Sequence, residues 1–517
     1  MSNSLETAMT GGVVATGAPA ATNAGAEIFR LGGNAVDAAV AAALAICVAD
    51  PANASLLGRC HIVVRTPEGQ FEAIDGASAI PSILPETIGT GPLAWAAIPC
   101  LPQALEKLHA KHGRLSLSVV ASPAAQLADE GLIAPEHLSA VWALRAEALA
   151  EGGAGPYANG VRPPEHFRHP QLSRLLRAFG VHGAAAITTG QVAELLVGGI
   201  RARGGYWATE DLEGHAALEG EVLHGRFRDC EVTTIGRQGW GHTFIEMLAI
   251  LDRMPRFGEK LTAEEACRLV AVIEACFEDR PQRLGSLEPK VNGLTFETLV
   301  DPEFLSLRAA MLANQLAEVP PAASSGEQSA ARATEDQDTT HLSTLDNNGL
   351  TVALTMSIGP HFGLRATDTA FGLLPAKSYR MSCDPVPGAR DVTEMTPVIV
   401  TRGNRVLMSL GGAGSERIPG AVAQAIVNVV DRGYSLDQAV RAPRVNVTGT
   451  HPRVHCDAGT DVIAALRARW PNLQVCRRGH ENHLGLVQAV GLDSHEAFEG
   501  VADDSWDGTC VVVPSTD

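Results

Sequence analysis

Alternating apolar and polar residues predict a β-hairpin in the C-terminal half of the chain. Leu342 and Val352 alternate with polar neighbours, and Asn348-Gly349 provides the tight turn expected between two antiparallel strands. The preceding run, 319–338, contains Pro-Pro, Ser-Ser-Gly and scattered charges. Such a composition cannot bury enough apolar surface to order itself. The pattern therefore predicts a flexible segment that leads directly into a strand.

The predicted strand opens with two threonines, Thr339 and Thr340. Cleavage between Asp338 and Thr339 would give Thr339 a free α-amino group beside its own hydroxyl, so nucleophile and base would belong to one residue. Threonine is also common in ordinary strands, and a threonine pair taken alone more often has a structural role. The hypothesis of a self-cleaving nucleophile therefore depends on the rest of the chain.

Apolar spacing also predicts the elements at the beginning of the chain. Gly32-Gly33 ends one predicted helix, and Asn34 can cap the next. The predicted elements are, in order, a strand (11–16), two helices (18–30 and 35–48) and a hairpin (62–66 and 71–75). Further helices are predicted near 195–203 and 261–276, with loops at 255–258 and 285–293.

Length and charge restrict the class of protein. A chain of 517 residues, 45% hydrophobic and with 52 glycines, can form more than one core or one large composite unit. The net charge of −18, without any Lys/Arg run, argues against a nucleic-acid or anionic-membrane partner. A small-molecule substrate is the remaining expectation.

Cysteine usage and the apolar runs suggest a compartment. The ten cysteines are scattered without a CxxC pair, so neither a metal site nor a disulfide framework is expected, and Cys47 and Cys276 are predicted to be buried thiols. The first ten residues lack a charged region followed by an apolar one, and the run 38–49 is too short to span a bilayer. We therefore expect a cytoplasmic protein.

The stretch 31–44, Leu-Gly-Gly-Asn-Ala-Val-Asp-Ala-Ala-Val-Ala-Ala-Ala-Leu, resembles the N-terminal signature of the γ-glutamyltransferase (γ-glutamyltranspeptidase) family. Members of that family are self-processing N-terminal-nucleophile hydrolases. Further similar segments follow in the family's order at 91–93, 112–114, 204–205, 211–212, 246–248, 339–343, 395–397, 411–414, 442–444 and 507–508. One such motif would be weak evidence, but this ordered series covers nearly the whole chain.

The resemblance implies an α+β fold, a four-layer αββα sandwich in which two sheets pack face to face with helices outside. It implies one composite domain cut into a large fragment, 1–338, and a small fragment, 339–517, that begins with the nucleophile. The two fragments would remain an intertwined heterodimer, and a dimer of such heterodimers is left open. The chemistry implies neither a metal nor an organic cofactor.

The resemblance also implies a mechanism. The Thr339 hydroxyl would attack the Asp338 carbonyl in the precursor and a substrate amide in the mature enzyme, where its own amine takes the proton. The family's supporting hydroxyl aligns with Ser357, a serine where threonine is usual, and Thr355 matches another hydroxyl position. The oxyanion donors would be backbone amides at Gly414-Ser415, although a structural glycine cluster is equally compatible with that stretch.

The positions that hold an α-amino acid in the family are not retained. The arginine that binds the α-carboxylate aligns with Ala77. The acidic run that binds the α-ammonium aligns with 375–381, which carries Lys377 and Arg380 instead. Because a buried ammonium without a partner is costly, an α-amino acid substrate is disfavoured.

Other substitutions fall on the same substrate-binding positions. Thr393-Glu394 replaces a Ser-Ser pair, Gly359 replaces an asparagine, and the glycine-rich segment after the first helices contains Arg59. Lys377, Arg380, Arg59 or Arg365 could face a substrate carboxylate, although each taken alone is more often a solvated surface cation. His341, His361 and His242 are further candidates to line the site, with packing as the alternative for His341.

The sequence therefore favours the family's reaction on a different acyl group, that is, hydrolysis of a small anionic amide, oxamate-like or glutaryl-like. Members of the family with this kind of substrate include oxamate amidohydrolase and the cephalosporin or glutaryl acylases. Two alternatives stay open: a genuine γ-glutamyltransferase or glutathione hydrolase, and an unprocessed, non-catalytic homologue. The acyl group and the preferred acceptor, water or an amine, are not fixed by these residues.

Overall fold

The computed structural model describes residues 11–158, 160, 163, 165–281, 293–318, 337–383, 385–479 and 483–515. The predicted flexible run 319–338 lies outside these residues apart from its last two positions, and the predicted loop 285–293 lies outside them apart from Gly293. Within the described ranges, no helix is both long and apolar enough to cross a membrane.

Most strands of the molecule belong to two large sheets. The strands are β1 (Gly12–Thr16), β2 (Arg59–Arg65), β3 (Phe71–Gly76), β4 (Leu218–Glu219), β5 (Val222–Phe227), β6 (Cys230–Ile235), β7 (Gln337–Asp346), β8 (Thr351–Pro360), β9 (Val398–Arg402), β10 (Arg405–Ala413), β11 (Val445–Thr448), β12 (His451–His455), β13 (Gln474–Cys476), β14 (Leu486–Leu492), β15 (Phe498–Ala502) and β16 (Thr509–Val513). The first sheet has the order β16-β1-β7-β8-β2-β3-β4 and the second the order β15-β14-β10-β9-β6-β5, and neighbours in both are antiparallel. A small third sheet joins β11, β12 and β13.

Helices cover the outer faces of the two sheets. They are α1 (Pro19–Arg30), α2 (Ala35–Ala49), α3 (Leu101–His112), α4 (Leu117–Glu130), α5 (Glu136–Glu151), α6 (Pro170–His182), α7 (Ala185–Thr188), α8 (Gly190–Arg201), α9 (Thr209–Gly214), α10 (Gly241–Asp252), α11 (Ala263–Asp279), α12 (Pro302–Ala317), α13 (Arg417–Val430), α14 (Leu436–Arg441) and α15 (Thr460–Arg469). Short 3-10 turns occur at Gly155–Tyr157, Thr298–Val300 and Arg380–Ser382.

Three apolar clusters separate the layers. One packs α1, α2 and α4 against the outer face of the first sheet, and another packs α10, α11 and α13 against the second. Between them, residues such as Val63, Leu345, Ile399 and Val490 fill the space between the sheets. Because each sheet is covered by helices on one face and by the other sheet on the other, the predicted four-layer αββα sandwich is confirmed.

The predicted N-terminal elements are present with nearly the predicted bounds. Asn34 accepts hydrogen bonds from the amides of Val36 and Asp37, and the Asp37 carboxylate accepts from the Asn34 amide, which forms a capping box at the start of α2. Gly32, with φ of 83°, follows the end of α1 and adopts the left-handed conformation that favours glycine. Cys47 is buried within α2, as its apolar setting predicts.

The predicted hairpin is formed by β7 and β8, two central strands of the first sheet. The Asp346 carboxylate accepts hydrogen bonds from the amides of Asn348 and Leu350, and Gly349 has φ of 81°. These bonds close the turn and fix the register of the strand that carries Thr339. The strand begins at Gln337, so Asp338 and Thr339 are consecutive residues of one continuous strand.

Candidate active site

Side chains that face the second sheet form rows across β7, β8, β2 and β3, because alternate residues of a strand share a face. One row is mainly apolar and contains Ala353, Val63 and Ala73. The next row toward the site is polar, since His341, Thr355, His61 and Asp75 are aligned there. The space between the sheets therefore changes from apolar to polar in the direction of Thr339.

The pairing of β7 with β8 is interrupted at Thr339. Asp338 pairs with Gly359 and Thr340 pairs with Met356, so two steps along β7 correspond to three along β8. The extra residue lies on β8 and places Ser357 opposite this break. Irregularities of this kind redirect side chains and are common beside active sites. The predicted nucleophile and its predicted supporting hydroxyl thus share one irregularity of the ladder.

Thr339 and Ser357 line a cavity of about 230 Å³, part of which is open to solvent. Its lining residues are Arg59, Thr339, Ser357, Gly359, Tyr379, Thr393, Glu394, Met395 and Ser415. The structure therefore brings together seven residues singled out from the sequence for this site: Thr339, Ser357, Gly359, Ser415, Thr393, Glu394 and Arg59.

Three other predicted site residues, Thr355, Lys377 and Arg380, are not among the residues that line the cavity. Thr355 is one row further into the sandwich, where its hydroxyl bonds to the His341 ring at 2.9 Å. The Lys377 ammonium lies 5.7 Å from the centre of the ring of Tyr379, a residue that lines the cavity, but Lys377 is not itself a lining residue. Arg380 is buried and donates to the carbonyl of Arg390 at 2.9 Å.

The histidine candidates and Arg365 are likewise outside the described lining of the cavity. His361 stacks on Trp506 at 6.0 Å, and His242 lies near the start of α10. Arg365 has φ of 55°, and its amide donates to the carbonyl of Phe362. The packing alternative considered for His341 agrees with its complete burial.

The turn that was predicted to supply the oxyanion donors is conformationally unusual. Gly414 has φ of 118° and Ser415 has φ of 54°, a left-handed conformation that non-glycine residues seldom adopt. A Cβ at Gly414 would lie 2.8 Å from Cε1 of His483, so this position has no room for a side chain. Strained backbone of this kind is often retained at functional sites. Ser415 lies on the cavity wall, while the assignment of the oxyanion donors stays a prediction.

Arg59 is the buried cation of the cavity, with only 2% of its surface exposed. Its Nη1 donates to Ser78 Oγ at 3.1 Å, to the Lys377 carbonyl at 3.0 Å and to Asp391 Oδ2 at 3.3 Å. The guanidinium also lies 5.5 Å from the centre of the Tyr379 ring. All hydrogen bonds of this guanidinium to described residues are made by Nη1, and Nε is buried without a partner there. The Nη1 end of the planar guanidinium is thus anchored, while the edge formed by Nε and Nη2 can bind an anion.

Glu394 is the buried acid of the cavity. Burial raises the pKa of its carboxyl, and the Arg59 charge and a hydrogen bond from Ser415 oppose that shift. The Ser415 hydroxyl donates to Glu394 Oε1 at 3.1 Å. An acid with a raised pKa can take part in proton transfer near neutral pH. The site therefore combines a buried cation with a buried carboxyl whose pKa is raised.

Tyr379 and Met395 are wall residues that the sequence did not single out. Tyr379 belongs to the run 375–381, but nothing in the order of residues there distinguishes it from its neighbours. Its role depends on stacking with Arg59, a contact between segments far apart in the chain. Met395 belongs to a recognised segment, and only the fold shows that it faces the cavity.

His341 connects the strand of Thr339 to the second sheet. Its Nδ1 bonds to Thr355 Oγ1 at 2.9 Å and its Nε2 to Ser343 Oγ at 2.8 Å, and Ser409 of β10 donates to Ser343 at 3.1 Å. A Cβ at Gly411 would lie 2.3 Å from Nδ1 of the ring, so glycine is required opposite it. Burial lowers the pKa of His341 to about 3, and the ring is therefore neutral at working pH.

We expect the His341→Gln variant to lose less thermal stability than the wild type on acidification. The unfolded chain binds a proton on this residue below about pH 6.5, whereas the folded chain binds it only near pH 3. The contribution of His341 to the free energy of unfolding is therefore fully present above pH 6.5. Below that pH it falls by up to about 1.4 kcal/mol per pH unit. Melting temperatures between pH 7.5 and 4.5 test this, and parallel curves for the two proteins would contradict it. His455 has a similarly low pKa, but it is present in both proteins, so its contribution cancels when the two curves are compared.

Two facing sheets, outer helices and a buried threonine at a break in a central strand form the arrangement expected of an N-terminal-nucleophile hydrolase. The model of the Gamma-glutamyltranspeptidase family matches residues 21–513. The chain therefore belongs to this family, and it is an N-terminal-nucleophile hydrolase. The resemblance seen in its motifs is confirmed.

Individual relatives agree with this assignment over nearly the full chain. The Acylase ACY 1 proenzyme of Pseudomonas sp. (strain V22) is 30% identical over 538 aligned positions, covering 97% of this chain and 93% of the relative. The Glutathione hydrolase proenzyme of Bacillus subtilis (strain 168) is 24% identical, covering 97% and 91%. The crystal structure of cephalosporin acylase from Bacillus halodurans superposes with a TM-score of 0.84 at 22% identity, covering 98% and 96% of the two chains.

Proposed function

We propose that the chain cleaves itself between Asp338 and Thr339 and then hydrolyses a small amide whose acyl part carries a carboxylate. The observation that carries this proposal is the shared cavity, in which Thr339 and Ser357 lie with the buried cation Arg59. The names of two relatives, both proenzymes, support processing in this chain.

Processing uses the continuous strand. Thr339 Oγ attacks the Asp338 carbonyl carbon, the peptide C–N bond breaks as the ester C–O bond forms, and water hydrolyses the ester. The products are a new carboxylate at Asp338 and a free amine at Thr339. Fragments 1–338 and 339–517 stay together because β7 of the small fragment pairs with β1 of the large one, and β8 with β2.

The mature enzyme repeats this chemistry on its substrate. Thr339 Oγ attacks the amide carbon and its α-amine accepts the proton, which is then passed to the departing amine or ammonia. Backbone amides at Gly414-Ser415 stabilise the oxyanion, and Ser357 holds the nucleophilic hydroxyl in place. Water then hydrolyses the acyl ester to release a carboxylic acid and restore Thr339.

Arg59 supports a carboxylate on the acyl group. Cys60 pairs with Gly76, so Arg59 lies beside Ala77, the position where the family's substrate arginine is missing. A cation is thus supplied from the adjacent strand, with its Nε and Nη2 edge open to a second carboxylate besides Asp391. Oxamate and glutaramate are small amides that carry such a carboxylate, and they are the proposed substrates.

Glu394 favours a second candidate, a γ-glutamyl substrate, because a carboxylate in the cavity could accept an α-ammonium. Some relatives are glutathione hydrolases. However, the hydroxyl of Ser415 already donates to this carboxyl, and burial raises its pKa, which weakens it as a partner for a cation. The anionic amide is therefore the preferred substrate class.

Ammonia release from a matched set of amides tests the proposal. We expect the processed enzyme to turn over oxamate or glutaramate with kcat/KM at least tenfold above that for oxamide or glutaramide, their neutral counterparts. We also expect little release of p-nitroaniline from γ-glutamyl-p-nitroanilide. Equal or faster turnover of the γ-glutamyl compound would overturn the assignment in favour of the second candidate.

A further inference from the structure

A second buried arginine, Arg280, lies at the N-terminus of α10. It directly follows α11, and its guanidinium carbon lies 4.5 Å from the centre of the Trp240 ring and 5.8 Å from that of Phe296. Its Nη1 contacts Thr243 Oγ1, in the first turn of α10, at 3.4 Å. Only 2% of the residue is exposed. The guanidinium is therefore fixed between aromatic rings at the positive end of a helix.

The unused donors of Arg280 are the two that bind oxoanions side-on. Nε and Nη2 are buried and have no hydrogen-bond partner among the described residues. The Glu394 carboxylate acts on this guanidinium through its charge, without a hydrogen bond to either of these two atoms. These two N–H groups are parallel and match the two oxygens of a carboxylate. Buried guanidinium donors without hydrogen bonds are costly, so the geometry calls for an acceptor at this edge.

Neighbouring donors add to this positive environment. Trp240 precedes α10 at the cap position and supplies no side-chain acceptor to its first turn. The indole Nε1 of Trp240 and the Nδ1 of His242 are also buried without a partner in the described part of the chain. Acids also lie in this neighbourhood. Glu221 is 3.9 Å from Nε2 of His242, and its other oxygen already accepts from the Arg237 amide, while the charge of Glu394 acts on Arg280.

We propose that Arg280 and the first turn of α10 form a second anion-binding site, which takes a carboxylate or another small oxoanion. The site lies close to the catalytic cavity, because a Cβ at Gly239 would be 2.3 Å from the carbonyl oxygen of Met395, and the charge of Glu394, another residue of the cavity wall, acts on Arg280. The anion comes either from the far end of a longer acyl chain or from solution. The site itself does not depend on the reaction proposed for Thr339.

Bromide soaking of crystals of the processed protein locates the site directly through anomalous scattering. We expect a bromide peak at Nε and Nη2 of Arg280 in the wild type, displaced by excess glutarate and absent in Arg280→Gln. Arg237→Gln is the matched control, since it removes an equal charge from an exposed arginine of the same neighbourhood and should keep the peak. The absence of a peak in the wild type, or its persistence in Arg280→Gln, would overturn the proposal.

A second variant protects the test against misfolding. If Arg280→Gln does not give folded protein, Arg280→Lys is tested in its place, because lysine keeps the positive charge but lacks the two parallel N–H donors of the guanidinium. We then expect bromide to remain and glutarate to compete at least tenfold less effectively than in the wild type. Unchanged competition by glutarate would contradict side-on binding.

Kinetics separate the two sources of the anion. If the site holds the far carboxylate of the substrate, Arg280→Gln raises KM for glutaramate at least tenfold and leaves KM for oxamate unchanged. If it holds a free anion, added bromide changes the rates on both substrates in the wild type alone. Should neither amide be turned over, the proposed reaction fails, and the crystallographic result still decides the anion site.

Discussion

The Thr339→Ala variant is expected to remain a single uncut chain of 517 residues without amidase activity. The wild type should give two fragments, 1–338 and 339–517, with Thr339 as the new N-terminus. Loss of the hydroxyl removes the nucleophile for both reactions, and comparable losses in other hydrolases reach roughly 10⁴- to 10⁶-fold in kcat. Mass spectrometry of the purified proteins measures the first effect, and ammonia release measures the second.

Thr340→Ala is the matched control, because it removes the same group from the next residue of β7. Thr340 Oγ1 lies 2.7 Å from where a Cβ of Gly17 would be, on a different side of the strand from the cavity residues. We expect this variant to be cut at the same bond and to retain most of its activity. Thr339→Ser should also be cut, since it keeps a hydroxyl. A Thr339→Ala chain that still divides at residue 338 would show that another group performs the cleavage.

The hairpin and the N-terminal elements could be predicted because their signals are local. Asn348-Gly349 defines a turn within four residues, and Asn34 followed by Asp37 defines a helix start in the same way. Alternation places Leu342 and Val352 on one face before any tertiary contact is known. The pairing of β7 and β8 then follows from the turn that joins them.

The substrate side of the site was less predictable because it depends on contacts between distant segments. Arg59, Lys377 and Arg380 are all cations near recognised motifs, and the sequence does not rank them. The fold distinguishes them. Arg59 is the first residue of β2, and the regular alternation of that strand turns its side chain toward the cavity, whereas Lys377 and Arg380 belong to an irregular segment. Stacking with Tyr379 and the bond to Asp391 are contacts over more than 300 residues and leave no periodic signal.

Arg59→Gln is expected to lower kcat/KM for oxamate or glutaramate by roughly 30- to 5,000-fold, the equivalent of about 2–5 kcal/mol. The variant removes the charge and the open edge of the fork, while glutamine can still donate toward Ser78. Turnover of oxamide, which has no carboxylate, should change far less. Initial rates on the charged and neutral amides, measured with the same processed protein, give the ratio that reports the contact.

That ratio separates a substrate contact from a structural role of Arg59. The arginine is also the ion-pair partner of the buried Asp391, and its removal leaves that carboxylate without its cation. A purely structural defect would lower the rates on oxamate and oxamide in equal proportion, and the double variant Arg59→Gln with Asp391→Asn would restore both. If Arg59 binds the substrate carboxylate, the double variant regains stability but not the preference for the charged amide. Arg59→Lys should be intermediate, because lysine supplies the charge without the bidentate geometry.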